Sequence, residues 1–162
     1  MRNVERLKPG TILEVGCGRG ALGARLAEKA TYLAVEPDVT SFAVAQGVIT
    51  PRGGTVVNGT VEAVPASDSF DLVCAFEVLE HLDDDDAALR LWVARVRPGG
   101  HLMLSVPAHS LRFAPMDVMA GHFRRYDPGQ LTVALQRLGL VGVQETLYAW
   151  PLGYLLEAVR NR

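Results

Sequence analysis

Short apolar runs recur along the chain, each closed by glycine, proline or acidic residues. The first, Thr11 to Val15, is apolar apart from Glu14 and breaks into glycines at 16, 18, 20 and 23. It has the length and flanks of a buried parallel strand, and Ala21, Leu22 and Leu26 then resume at helical spacing. A second strand is expected over Thr31 to Glu36, stopped by Pro37, with Asp38 as N-cap of a helix carrying Val39, Phe42 and Ala43. After the turn cluster 50–54 come a third strand, Thr55 to Asn58, a polar loop over 59–69, and a fourth strand, Phe70 to Phe76, apolar nearly throughout. Leu89, Trp92, Val93 and Val96 share one helical face, and Arg97-Pro98-Gly99-Gly100 reads as that helix's stop. His101 to Val106 is the fifth expected strand. Residues 107–126 have no clean period, a length of loop that in compact domains usually carries function. A helix then starts at Asp127-Pro128, carries Leu131, Leu135 and Leu138, and ends at Gly139. Leu140 to Tyr148 reads as a sixth strand and Trp150 to Arg160 as a last helix. Strands alternating with helices predict one α/β domain over residues 1–162, a doubly wound, mainly parallel six-stranded sheet.

Composition narrows what such a domain can do. Of 162 residues, 49% are hydrophobic and 21% charged, ordinary for a globular protein, and the net charge of -2 offers no footprint for nucleic acid. No run reaches the roughly 20 apolar residues that span a bilayer, and MRNVERLKPG lacks the apolar centre of a signal peptide. Cys17 and Cys74 have no ligand-like spacing, so reduced buried thiols in a cytoplasmic protein are expected rather than a disulfide. The acids Asp83 to Asp86 suit a helix N-terminus through its dipole. As neighbours on one turn they point in different directions, so no metal site is expected of them.

Strand, glycine turn, helix is the opening of a nucleotide-type site, although a plain strand-to-helix turn uses the same residues. Gly16-x-Gly18-x-x-Ala21 fits the dinucleotide fingerprint, and Glu36 lies 20 residues after Gly16 at the end of the next strand. A carboxylate there can accept from both ribose hydroxyls, whether of a dinucleotide or of an adenosine nucleoside without phosphates.

EVGCGRGALG, VEPD, GTVEAVP, FDLVCAFEVLEHLDD and VRPGGHLMLSVP, in this order and spacing, resemble the motifs of class I S-adenosylmethionine (SAM)-dependent methyltransferases. The closer likeness is to the small-molecule branch that includes the quinone-biosynthesis enzymes, over about residues 11–140. The resemblance implies a Rossmann-like sheet with SAM across the carboxyl ends of strands one, two and four. On that basis Glu14 holds the methionine end, and Gly16, Cys17 and Gly18 bring backbone to the methionine and ribose. Glu36 binds the ribose hydroxyls, with Pro37 against the adenine. Val61 offers an amide to the adenine edge, flanked by Thr60 and Glu62, and Phe76 and Glu77 line the methionine side. Glu14 argues against a dinucleotide, because a pyrophosphate docked at a helix N-terminus has no use for a nearby carboxylate. Thr60 stands where many relatives have an aspartate, and a hydroxyl accepts more weakly. The family's longer N-terminal segment and seventh, antiparallel strand have no counterpart in the reading of this chain, which looks shortened at both ends.

The implied reaction is O- or C-methylation of a small-molecule acceptor, with S-adenosylhomocysteine (SAH) as product. Candidate bases are His122 and, after the fourth strand, His81; imidazole titrates near neutrality. Gly121-His122-Phe123-Arg124-Arg125-Tyr126 resembles a GHxRRY segment of many such enzymes. With His109 it forms a candidate lid or substrate segment, whose arginines either meet an anionic acceptor or pair locally. An Asn/Asp-Pro-Pro-Tyr/Phe pattern is absent after the fourth strand, which argues against nucleobase methylation. An NAD-linked oxidoreductase and a non-catalytic SAM-binding domain are the competing readings.

Overall fold

The computed structural model describes residues 2–148; the helix expected over Trp150 to Arg160 lies outside them. Contacts divide the chain into two compact units: residues up to Val78 with 90–105, and 79–89 with the chain from Val106 onward.

The first unit is a five-stranded parallel sheet in the order β3-β2-β1-β4-β5. Its strands are β1 (Thr11–Val15), β2 (Thr31–Glu36), β3 (Thr55–Asn58), β4 (Phe70–Phe76) and β5 (Val96–Ser105). The first four coincide with the apolar runs. β1 is central, with Leu13 opposite both Leu33 and Val73, and Ile12, Leu13, Leu72, Val73 and Cys74 are fully buried. That is why these strands read as continuous apolar runs.

One face of the sheet is covered by α2 (Gly23–Ala27) and α3 (Val39–Ile49), whose Leu26, Ala45 and Ile49 join Ile12, Tyr32, Ala34, Leu72 and Cys74 in one core cluster. Asp38 caps α3 as expected, accepting from Ser41 N at 2.7 Å. A short helix that the patterning did not predict, α1 (Arg2–Leu7), adds Val4 and Leu7 to this cluster.

The fifth strand corrects an expectation. α4 (Asp85–Val93) ends before the Arg97–Gly100 stop signal, and β5 begins at Val96, so Pro98, Gly99 and Gly100 lie inside the strand. They form a bulge: Phe70 pairs with Val96, but Leu72 already pairs with His101. Asp71, opposite the bulge, makes it possible. Its Oδ2 accepts from Gly10 N at 2.6 Å and Thr11 N at 2.8 Å, while its Oδ1 pairs with the Arg97 guanidinium. Proline and glycine in a strand are tolerated at such bulges.

In the second unit, Ala108 bridges Tyr126 in parallel, and the irregular stretch holds a 3-10 turn, Ser110–Arg112, and a short helix, α5 (Pro115–Ala120). α6 (Gln130–Arg137) follows, with its C-terminal turn closed by Leu140 N on Leu135 O at 3.1 Å. The expected sixth strand over 140–148 does not form. Gly142 takes a left-handed φ of 65°, which interrupts the two-residue alternation, and Val141 beside it is 92% exposed. The sheet among the described residues therefore has five strands.

Asp71→Ala leaves two backbone donors and Arg97 without their acceptor, and is expected to lower the unfolding free energy by about 1–3 kcal/mol in urea melts.

Candidate functional site

In a parallel sheet of this order the strand sequence reverses between β1 and β4, and a ligand crevice opens at their carboxyl ends. Gly16 leaves β1 there with φ of 69°, and a Cβ on it would come within 2.6 Å of Val78 Cγ2. The backbone turns sharply because its N–H and that of Cys17 both reach back to Val35 O, at 2.9 and 3.3 Å. Gly18 has φ of 53°, and no described heavy atom lies within 4 Å of where its Cβ would be. Bare backbone here borders open space, which a side chain would have narrowed.

Glu36 ends β2 and is 7% exposed. Its Oε2 accepts from Gly18 N at 2.7 Å and its Oε1 from Asp38 N at 2.9 Å. A carboxylate offers about four lone-pair sites, so each oxygen retains capacity for a hydroxyl donor. Asn58, which sequence reasoning missed, steadies the same strand end by donating to Glu36 O at 2.8 Å and Pro37 O at 3.2 Å. Pro37 is exposed beside it.

Thr60 donates its hydroxyl to Glu62 at 2.5 Å, leaving the Thr60 oxygen as an acceptor, and that bond holds the Glu62 carboxyl below its ordinary range. Val61 is buried. The loop that carries all three is held by Arg95, also missed, which donates to Val64 O and Pro65 O at 3.0 Å each.

Phe76 is half-buried at the end of β4, and Glu77 follows with a left-handed φ of 55°, which is unusual for a residue with a side chain. Its carboxylate accepts from Ser105 Oγ at 2.6 Å. Glu14 is 3% exposed and accepts from the Tyr32 hydroxyl. Burial pushes its carboxyl up from 4.5 to about 7, against the pull of that hydrogen bond.

The second unit gathers its own polar cluster. His122 Nδ1 faces Asp117 Oδ1 at 3.0 Å, Arg125 Nε donates to the same oxygen at 2.9 Å, and Ala114 N donates to Asp117 Oδ2 at 2.8 Å. Burial would raise the Asp117 carboxyl, but the bonds from Arg125, Ala114 and His122 outweigh it and hold it below the usual carboxylate range. His81 packs edge-on to His122, centroids 4.6 Å apart, with its Nδ1 3.2 Å from Gly121 O. Glu80, His81 and His122 bring ligand-type atoms within 4.8 Å of one another, a grouping that sequence spacing does not announce.

Arg124 donates to Asp85 at 2.9 Å and to Asp83 O at 2.6 Å, and the Tyr126 hydroxyl donates to Asp85 at 2.9 Å. Two of the four aspartates thus anchor the arginine-rich segment, Asp83 through its carbonyl and Asp85 through its side chain, and Asp85 also begins α4. His109 takes φ of 65°, with its N–H on Tyr126 O at 2.9 Å.

The model of a methyltransferase domain matches residues 1–145. The chain belongs to the class I SAM-dependent methyltransferases. A ubiquinone biosynthesis O-methyltransferase of Methylobacterium nodulans is 30% identical over 161 residues, 88% of this chain and 65% of that protein. One from Xanthomonas axonopodis pv. citri is 34% identical over 62% of this chain and 45% of its own length. The methyltransferase chain therefore spans about half to two thirds of these relatives. Its fold matches the N-methyltransferase NodS of Bradyrhizobium japonicum, solved in complex with SAH, at a TM-score of 0.65 and 20% identity over 85% of this chain and 70% of that one. No described helix of the methyltransferase is long and apolar enough to cross a membrane.

Because the folded state raises Glu14 from 4.5 to about 7, its contribution to stability is complete below 4.5 and is lost as pH rises through 7. Glu14→Gln never ionises, so urea melts are expected to show the variant gaining on the wild type by on the order of 3 kcal/mol between pH 4 and 9.

Proposed function

We propose that this domain binds SAM at the carboxyl ends of β1, β2 and β4 and transfers its methyl group to the oxygen or carbon of a small-molecule acceptor. The observation that carries the reading is the pairing of an open glycine cradle at Gly18 with the buried Glu36 carboxylate 2.7 Å from the Gly18 amide. This arrangement suits a ribose diol lying against bare backbone. Glu36 accepts from the two hydroxyls, Val61 offers its amide to the adenine edge, and Thr60 Oγ1 accepts from the adenine amino group. Glu14 meets the methionine ammonium, and Phe76 and Glu77 flank it.

SAM, when bound, supplies a methyl group on a sulfonium, a leaving group that needs no acid. The chain's own tasks are to align the acceptor, exclude water and take a proton where the acceptor has one to lose. His122 is the residue read as that base. Arg124, Arg125 and Tyr126 act as the frame that holds its segment, in keeping with their partners Asp85 and Asp117. The ubiquinone-biosynthesis names of the relatives favour a phenolic acceptor, whose hydroxyl an imidazole can deprotonate.

Calorimetry with SAM, SAH and NAD tests the cofactor. SAM and SAH are expected to bind, and NAD binding without SAM binding would overturn the reading. Glu36→Gln is expected to weaken SAM roughly 10- to 100-fold, the worth of charge-assisted bonds to the diol. SAM affinity is expected to rise with pH through about 7, as Glu14 ionises to face the ammonium. In a screen of phenols and catechols that reads SAH release, His122→Ala is expected to lower turnover by about 10²- to 10⁴-fold with SAM binding retained.

A further inference from the structure

Asp117 is 3% exposed and its carboxylate is surrounded by donors. Arg125 Nε and Ala114 N already satisfy one oxygen each, at 2.9 and 2.8 Å. His122 adds a third contact, Nδ1 to Oδ1 at 3.0 Å, and its own backbone N–H donates to Asp117 O at 2.9 Å. His122 is thus tied to Asp117 through both its ring and its backbone, although the buried acid does not need the ring for satisfaction.

The chemistry of these contacts sets where the imidazole proton lies. An ionised carboxylate only accepts, and a guanidinium beside it favours the ionised form. Nδ1 must therefore donate, and in a neutral ring the lone pair is left on Nε2. A free imidazole side chain prefers the opposite tautomer, so this one has to be imposed. We propose that Asp117 is a positioning residue that imposes the Nδ1–H tautomer on His122 and presents Nε2 as its lone-pair nitrogen, while Arg125 keeps the carboxylate charged and in place. The inference rests on the reading of His122 as the base, for which it specifies the nitrogen.

His81 follows the same polarity. Its Nδ1 lies 3.2 Å from Gly121 O, which can only accept, so its lone pair is also on Nε2. The two rings stand nearly perpendicular, at 85°, each held through Nδ1 by an oxygen. Among the described residues Nδ1 of His122 is held by a carboxylate and that of His81 by a carbonyl, and Glu80 has a ligand-type atom within 4.8 Å of those of both rings. The His122 side chain is 16% exposed, so it is not sealed off. A carboxylate behind a histidine fixes tautomer and ring orientation together, and outer partners of this kind matter nearly as much as the ring itself.

The test needs no acceptor. With ring-¹⁵N histidine and long-range ¹H–¹⁵N spectra at a pH of about 9, well above the ordinary imidazole range, the four histidines separate by tautomer, and the loss of one set in His122→Gln assigns His122. The wild type is expected to show His122 protonated at Nδ1, and Asp117→Ala to return it to the Nε2–H form. A wild-type His122 that is already Nε2–H, or that averages both forms like a free ring, would overturn the proposal; the tautomer is read on the wild type, and His122→Gln serves only for assignment. An unchanged tautomer in folded Asp117→Ala would overturn it equally. Failure of the base reading shows elsewhere. Unchanged turnover in His122→Ala removes the base and leaves the tautomer result standing, whereas lost turnover there with an unmoved tautomer in Asp117→Ala removes only the positioning role.

Discussion

The hydrogen bond from Gly18 N to the Glu36 carboxylate, at 2.7 Å, joins the turn after the central strand to the end of its neighbour. A glycine-rich turn has many amides and few side chains with which to satisfy them, and a buried amide without a partner costs free energy comparable to a lost hydrogen bond. Here the Val35 carbonyl takes the first two amides of the turn and Glu36 takes the third. The β1–β2 register sets these partners opposite the turn, since Val15 lies beside Val35. The same carboxylate also accepts from Asp38 N at 2.9 Å through its other oxygen, so one side chain ties the turn after β1 to the start of α3.

The second unit solves a related problem with other means. Residues 107–126 have little regular structure, yet Arg125 and Tyr126 are buried. Burying a guanidinium requires a charge partner with good geometry. Asp117 meets that need for Arg125, and Asp85 accepts from both Arg124 and Tyr126. The irregular segment is held by side-chain carboxylates in the way that a strand is held by its ladder.

Much of the first unit was legible in the chain's patterning, because a strand buried on both faces has to be apolar and has to stop at glycine, proline or an acid. That reasoning located β1 to β4 at their observed limits and placed Glu14, Gly16, Gly18 and Glu36 at strand ends. It failed at β5, where Pro98-Gly99-Gly100 signals a stop in isolation but is accommodated as a bulge once Asp71 holds the opposite side. It failed again at 140–148, where apolar spacing suggested a strand and Gly142 turned the backbone away. Asp117 was invisible for a different reason. Its partners return five and eight residues later through a short helix and a turn, and no period or motif marks such a meeting. Asn58 and Arg95 act through main-chain carbonyls, which sequence does not display.

The thiol in the glycine turn has a consequence for the durability of the cleft. Cys17 is 9% exposed, and its pKa is pushed up to about 12 by burial and by the neighbouring Glu14 and Glu36 carboxylates. Thiolate, not thiol, is what alkylating agents and peroxides attack. The two carboxylates beside the turn, Glu14 and Glu36, therefore also keep its sulfur chemically quiet, so that a cysteine can sit there without becoming a point of oxidative damage.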